Sequence, residues 1–369
     1  MNNITFENYI DAYLKDYKNC KTYWNYEDGC VLIGCREMYL VTGDEKYYNF
    51  IKKYVDAFVD ENGNISPYEM QNYNIDCINS GKILFFLYDK TGEEKYRKAM
   101  DVMMEQLKGQ PRCENGSFWH KKIYPNQLWL DGLYMAQPFY MEYETKYHKK
   151  EMYNDIIRQF ENVQKYLYDE EKGLCYHGYE ETKSIFWADK ETGRSKSFWL
   201  RSIGWHIMAV IDTMDAMSFE IFEHYKRLQD IFKLLIKGIL QYQDKETGLF
   251  YQVVDKAETE GNYLETSGSA MIGYAILKAC RMGVLSKEKY MPIGIRIVES
   301  ILHNKFIEGE DGFHLRDICG GAGLGPATDL RRDGSVTYYL NEKIVTDECK
   351  AVGVLMQAYA QYLQLQKDV

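Results

Sequence analysis

Apolar positions recur at helical spacing along the whole chain, each set backed by a polar face. Tyr47, Phe50, Ile51, Tyr54, Val55 and Phe58 form one set, and Tyr96, Met100, Met103 and Leu107 the next. Met152, Ile156, Phe160, Val163 and Leu167 follow, then Ile221, Tyr225, Leu228, Phe232, Leu235 and Ile239. Tyr290, Ile293, Ile297 and Ile301 close the series. An apolar stripe at this period predicts an amphipathic helix lying on the outside of a larger body.

After each set comes an acidic stretch with a turn glycine: Gly63, Gly116, Gly173, Gly248 and Gly312. Each glycine leads through an aromatic, charged loop into a second helix that is apolar nearly all round. The spacing predicts these helices over 77–89, 129–143, 199–217, 266–281 and 350–365, with one more over 24–41 and another outer helix over 4–17. Helices apolar on all faces are buried. Six inner and six outer helices alternate with a period of roughly 50–60 residues, which suits a solenoid or a closed toroid. Such apolar inner helices favour closure, so the expected fold is an all-α (α/α)6 barrel. Residues 1–369 are expected to form a single domain, since no Pro/Ser-rich linker interrupts them.

In that fold every loop entering an inner helix opens at the same end. Asp76 and Asp131 then occupy matching places just inside two inner helices. His120, Lys121, His177 and Arg201 add positive charge, and Trp129, Trp199 and Trp205 add rings. Asp131 lies among Trp, Leu, Tyr and Met. It reads either as a helix-capping Asp or as a carboxylate whose pKa is lifted toward that of a proton donor. A neighbouring Asp76 would strengthen the second reading, because two carboxylates sharing a site push one pKa up. Trp199 is expected to rim the cavity and Trp205 to line or support it. The glycine-rich run within 320–334 is a candidate flap over the mouth.

Composition narrows the partners. Fifty-five acidic against 45 basic residues give a net charge of −10, which argues against general nucleic-acid binding. The 33 tyrosines suit either a stacking cleft or a large aromatic core. Nine cysteines without a C-x-x-C pair suit reduced thiols in a cytosolic protein. The N-terminus lacks a signal-peptide pattern, and no apolar run is long enough to span a membrane, so the expected setting is cytoplasmic. Neither H-E-x-x-H, a phosphate loop nor G-x-S-x-G is present, so no metal or nucleotide chemistry is expected from motifs.

Five segments together resemble glycoside hydrolase family 105, the unsaturated rhamnogalacturonyl hydrolases. They are Asn74-Ile75-Asp76, Asn126 to Asp131, Trp187 to Gly193, Phe198 to Trp205 and Arg332 to Ser335. The likeness runs from about residue 20 to the C-terminus and implies the same barrel. It also implies removal of a 4,5-unsaturated uronic acid from a small oligosaccharide by hydration of its C4=C5 enol ether, with no cofactor. Asp131 matches the family's general acid/base and Asp76 the second carboxylate. By the same resemblance His120, Lys121, Trp129, His177, Trp199, Arg201 and Trp205 line the subsite, with Arg201 the first choice to grip the uronate. Unsaturated glucuronyl oligosaccharides are an alternative substrate class, and a non-catalytic helical-repeat binding protein is an alternative of a different kind.

Overall fold

The computed structural model describes residues 3–310 and 312–367, apart from the side chains of residues 3–5. Helices alternate along the chain as the periodicity predicts. The outer set is α1 (Asn3–Lys15), α3 (Glu45–Phe58), α5 (Glu94–Gly109), α7 (Tyr153–Leu167), α9 (Phe222–Ile239) and α11 (Lys287–Asn304). The inner set is α2 (Tyr26–Thr42), α4 (Lys82–Thr91), α6 (Leu130–Tyr147), α8 (Leu200–Ala216), α10 (Thr266–Arg281) and α13 (Cys349–Lys367). One short helix, α12 (Val336–Leu340), lies in the last long loop.

The inner helices close a ring. α2 meets the segment ahead of α4, which meets α6; α6 meets α8, α8 meets α10, α10 meets α13, and α13 returns to α2. This is the (α/α)6 barrel. Outer helices bury one stripe each: α3 buries Tyr47, Ile51, Tyr54, Val55 and Phe58, whereas α10 buries every residue from Thr266 to Cys280. The seam between first and last inner helices depends on a glycine. A Cβ on Gly353 would stand 2.3 Å from the Cys30 carbonyl oxygen and 2.7 Å from the Val31 nitrogen. The two backbones therefore touch across the seam, an approach only glycine permits.

Two features depart from the periodicity. The second inner helix opens as a 3-10 segment, Ile75–Gly81, before turning α-helical at Lys82. There Gly29 and Ser80 lie backbone to side chain, and Met103 presses on Gly81, so the turn is tightened where α2 and α5 crowd it. The loops also carry short strands. β1 (Gln127–Trp129) pairs antiparallel with β4 (Gly178–Glu180), and β2 (Tyr168–Asp169) with β3 (Leu174–Cys175). β5 (Phe306–Gly309) pairs with β6 (Gly312–Leu315), and β7 (Ile318–Cys319) with β8 (Ile344–Val345). The five turn glycines all have positive φ, as a sharp reversal ahead of each loop requires.

Candidate active site

The mouth is assembled by one hydrogen bond repeated four times. The N–H that opens an inner helix or its 3-10 lead donates to a carbonyl in the following loop. Ile75 donates to His120 at 3.3 Å, and Leu130 to His177, Leu200 to Gln252 and Thr266 to Asp317 at 3.0 Å each. In each case the residue after the donor is thereby set beside the next loop. Those residues are Asp76, Asp131, Arg201 and Ser267. The β1–β4 ladder carries the second stitch, since Trp129 pairs with Gly178 one step before Leu130 meets His177.

The register pairs each carboxylate with a histidine. His120 Nε2 lies 3.4 Å from Asp76 Oδ1, and His177 Nε2 lies 3.2 Å from Asp131 Oδ2. Lys121 Nζ also reaches Asp76 Oδ2 at 2.5 Å. The second pair sits at ion-pair distance without hydrogen-bond alignment, so Asp131 Oδ2 and His177 Nε2 are both buried and unpartnered in that sense. His177 is fixed from its other side, with Nδ1 2.7 Å from the Tyr339 hydroxyl.

This arrangement corrects the expectation for Asp131. Burial alone would raise its pKa, but His177 and, to a smaller extent, His120 outweigh burial and hold it below the ordinary carboxylate value. Asp76 is not the group that governs it. The Asp76 charge is answered by Lys121, whose ammonium is disfavoured by burial yet held above the ordinary lysine value by Asp76. Asp131 thus faces the His177 ring as a carboxylate. His120 behaves oppositely: burial pushes its pKa down to about 4, so its ring is neutral at neutral pH.

Rings wall the two pairs. His120 stacks on Trp129 with centroids 4.3 Å apart and planes 17° apart, and Tyr124 stacks on Trp129 at 4.7 Å. His177 stands edge-on to Trp129 at 5.4 Å and contacts Trp199 at 4.8 Å. The Arg201 guanidinium lies 5.1 Å from the Trp199 ring and donates from Nη1 to the Cys319 carbonyl at 2.5 Å. Nη1 also donates to the Ser267 hydroxyl at 3.4 Å, which leaves the Nε and Nη2 N–H groups without a protein acceptor among the described residues.

One tryptophan lies elsewhere than expected. Trp199 does not rim the cavity; it is buried under Tyr338 and Tyr339 of α12, stacking on Tyr339. Trp205 lies nearly two turns further down α8, stacked on Tyr134 at 4.6 Å, where it supports the barrel interior. The run 320–334 is tied down as a wall. Gly323 N–H donates to the Tyr338 hydroxyl, Trp187 Nε1 to the Gly325 carbonyl, and Arg332 Nη1 to the Tyr124 hydroxyl. A Cβ on Gly323 would lie 3.3 Å from the Trp129 ring, so this wall backs the Trp129 stack.

Several mouth residues escape motif reasoning. Burial, with Glu27 and Asp76, raises the Tyr26 pKa while Arg201 opposes, which puts this phenol among charges from several inner helices. Lys350 opens α13 and pairs with Glu348. Glu265 caps α10, accepting from Ser267 and Gly268 N–H, and also takes the Cys319 N–H. Tyr26 and Lys350 sit at inner-helix starts, like Asp76 and Arg201, and that position in the repeat is the signal that finds them.

A helical barrel whose mouth pairs carboxylates with imidazoles among stacked rings defines a class of carbohydrate-active hydrolases, and residues 1–366 match the family model of Glycosyl Hydrolase Family 88. A solved glycoside hydrolase from family 105 of C. acetobutylicum ATCC 824 is 39% identical, with a TM-score of 0.92 over 97% of this chain and 98% of that one. The chain belongs to this glycoside hydrolase family, in its family 105 group. Protein Atu3128 of Agrobacterium fabrum (strain C58 / ATCC 33970) is 36% identical over 63% of this chain and 99% of its own length. The unsaturated rhamnogalacturonyl hydrolase YesR of Bacillus subtilis (strain 168) is 26% identical over 74% of this chain and 76% of its own.

Proposed function

We propose that this protein removes the 4,5-unsaturated uronic acid from the non-reducing end of small rhamnogalacturonan fragments left by polysaccharide lyases. The observation that carries the reading is the Asp131 carboxylate at the mouth, 3.2 Å from His177, whose ring stands edge-on to Trp129. The likeness to YesR supports the rhamnogalacturonan class. Arg201, with guanidinium N–H groups to spare, takes the uronate carboxylate, because a planar fork suits a carboxylate. His120, Lys121 and Asp76 form the opposing wall.

The chemistry is proton transfer. A bound uronate adds negative charge and excludes water, and both effects raise the pKa of Asp131 and load it with a proton. Asp131 then gives that proton to C4, and the positive charge that develops at C5 is shared by the ring oxygen. Water adds at C5, and its proton returns to Asp131. One water is consumed, the C5 hemiketal opens, and the glycosidic bond breaks. Because the bond attacked is C4=C5, the carboxylate separation carries no retaining or inverting meaning. We place this step in the cytoplasm, a reducing setting that suits nine unpaired cysteines.

The double bond absorbs in the near ultraviolet, so turnover is read as loss of absorbance. Lyase-generated unsaturated rhamnogalacturonan disaccharide should be consumed with a higher kcat/KM than unsaturated glycosaminoglycan disaccharides. The reverse order would overturn the substrate class, and no loss with any of them would overturn the hydration.

A further inference from the structure

Cys20 and Cys349 are 329 positions apart in sequence, yet their sulfurs lie 2.8 Å apart. That is within about 1 Å of a covalent S–S bond of about 2.05 Å. Cys20 sits in the linker between α1 and α2 and is half-buried, with its N–H held by Asp28 Oδ1 at 2.8 Å. Cys349 is the first residue of α13 and is buried. Both line one cavity of about 730 Å³, together with Tyr13, Lys21, Glu27 and Lys350. Of the other seven cysteines, six are buried and only Cys77 is partly open.

We propose that Cys20 and Cys349 form a reversible oxidation site that takes two electrons' worth of oxidation from a low-molecular-weight disulfide entering this cavity. The accessible Cys20, as thiolate, attacks one sulfur of the small disulfide; a mixed disulfide forms and one small thiolate leaves, taking up a proton. Cys349 then gives up its proton and attacks Cys20 Sγ, and the second small thiol leaves. Two protein thiols are oxidised, one small disulfide is reduced to two thiols, and the balance closes. Cys349 suits the second role, since its contact with Cys20 and its burial hold its thiol protonated until the mixed disulfide is in place. The new bond would staple the linker to α13 beside the α13–α2 seam, one residue from Glu348 and Lys350.

The test uses the whole protein and oxidised glutathione. After incubation and removal of excess reagent, thiols titrated in denaturant should fall from nine to seven and return to nine with dithiothreitol. A tryptic digest should join Asn19–Lys21 to Ile344–Lys350. Cys349→Ser should instead trap one glutathione on Cys20, and Cys20→Ser should keep all eight of its thiols. Nine thiols retained by the wild type, a stable glutathione adduct without the cross-link, or a cross-link between other cysteines would each overturn the proposal.

Discussion

Replacing His177 by Gln should make the stability of the barrel depend on pH through Asp131. In the wild type Asp131 has a depressed pKa because His177 lies 3.2 Å away. A depressed carboxylate contributes stability above its unfolded pKa of about 3.9 and loses it as pH falls through the folded value. Without His177 burial is the leading influence, since His120 is neutral at neutral pH, and the sign reverses. The variant then loses stability as pH rises, because Asp131 must be either ionised without a partner or protonated against the solvent. Removing one partner of a buried pair costs about 3–5 kcal/mol. Asp131 keeps 14% of its side-chain surface exposed, so the low end, about 3 kcal/mol, is expected at pH 7. One proton sets the slope at no more than about 1.4 kcal/mol per pH unit, so the penalty should shrink by up to about 2.7 kcal/mol between pH 7 and pH 5. Urea unfolding at pH 5, 6 and 7 for the wild type, His177→Gln, Asp131→Asn and the double variant reads this directly. The His177→Gln penalty in the Asp131→Asn background measures any contribution from the titration of His177 itself, and subtracting it leaves the part that runs through Asp131. A His177→Gln penalty that does not change with pH, or that persists unchanged in the Asp131→Asn background, would refute the reasoning.

Three further outcomes follow from other parts of the molecule. Arg201→Lys keeps the charge and loses the fork, so KM for an unsaturated uronide should rise about 10–100-fold, the worth of a charge-assisted hydrogen bond, with kcat changed less; an unchanged KM would remove Arg201 from carboxylate binding. His120 is held neutral with a pKa of about 4, so unfolding takes up a proton below about pH 6.5, and stability falls as pH drops toward 4. His120→Gln should flatten that acid limb by up to about 3 kcal/mol in denaturant titrations, and an unaltered limb would contradict the assignment. Gly353→Ala forces a Cβ to 2.3 Å from the Cys30 carbonyl, more than 1 Å inside ordinary contact, and backbone must move to admit it. A loss of about 2 kcal/mol or more is expected by chemical denaturation, and a loss under about 0.5 kcal/mol would show that the seam is looser than described.

Much of the barrel is legible in the sequence because helix period is a local signal. The stripe from Tyr47 to Phe58 and the all-apolar run from Thr266 to Cys280 each carry their own burial pattern. The gathering of Asp76, Asp131, His120 and His177 is also legible, since alternating hairpins leave these loops at one end. What the sequence hides is who pairs with whom. Two carboxylates in matching places suggest a shared proton, yet the stitches from Ile75 to His120 and from Leu130 to His177 give each Asp a histidine of its own. That register depends on a backbone hydrogen bond between loops about fifty residues apart, which no local pattern encodes. Trp199 is hidden for a related reason. Its cover is α12, five residues long and too short for a helical period to announce. The strands of two to four residues escape for the same cause, because alternation needs a longer run.

Turnover in heavy water tests most directly whether Asp131 delivers a proton to C4 of an unsaturated uronide. The wild type should place one solvent deuterium at C4 of the released sugar, seen by NMR, as the near-ultraviolet absorbance disappears. Asp131→Asn should slow that reaction by about 100-fold or more, the usual worth of a general acid. A released sugar without deuterium at C4, or an Asp131→Asn variant that turns over at the wild-type rate, would contradict the account.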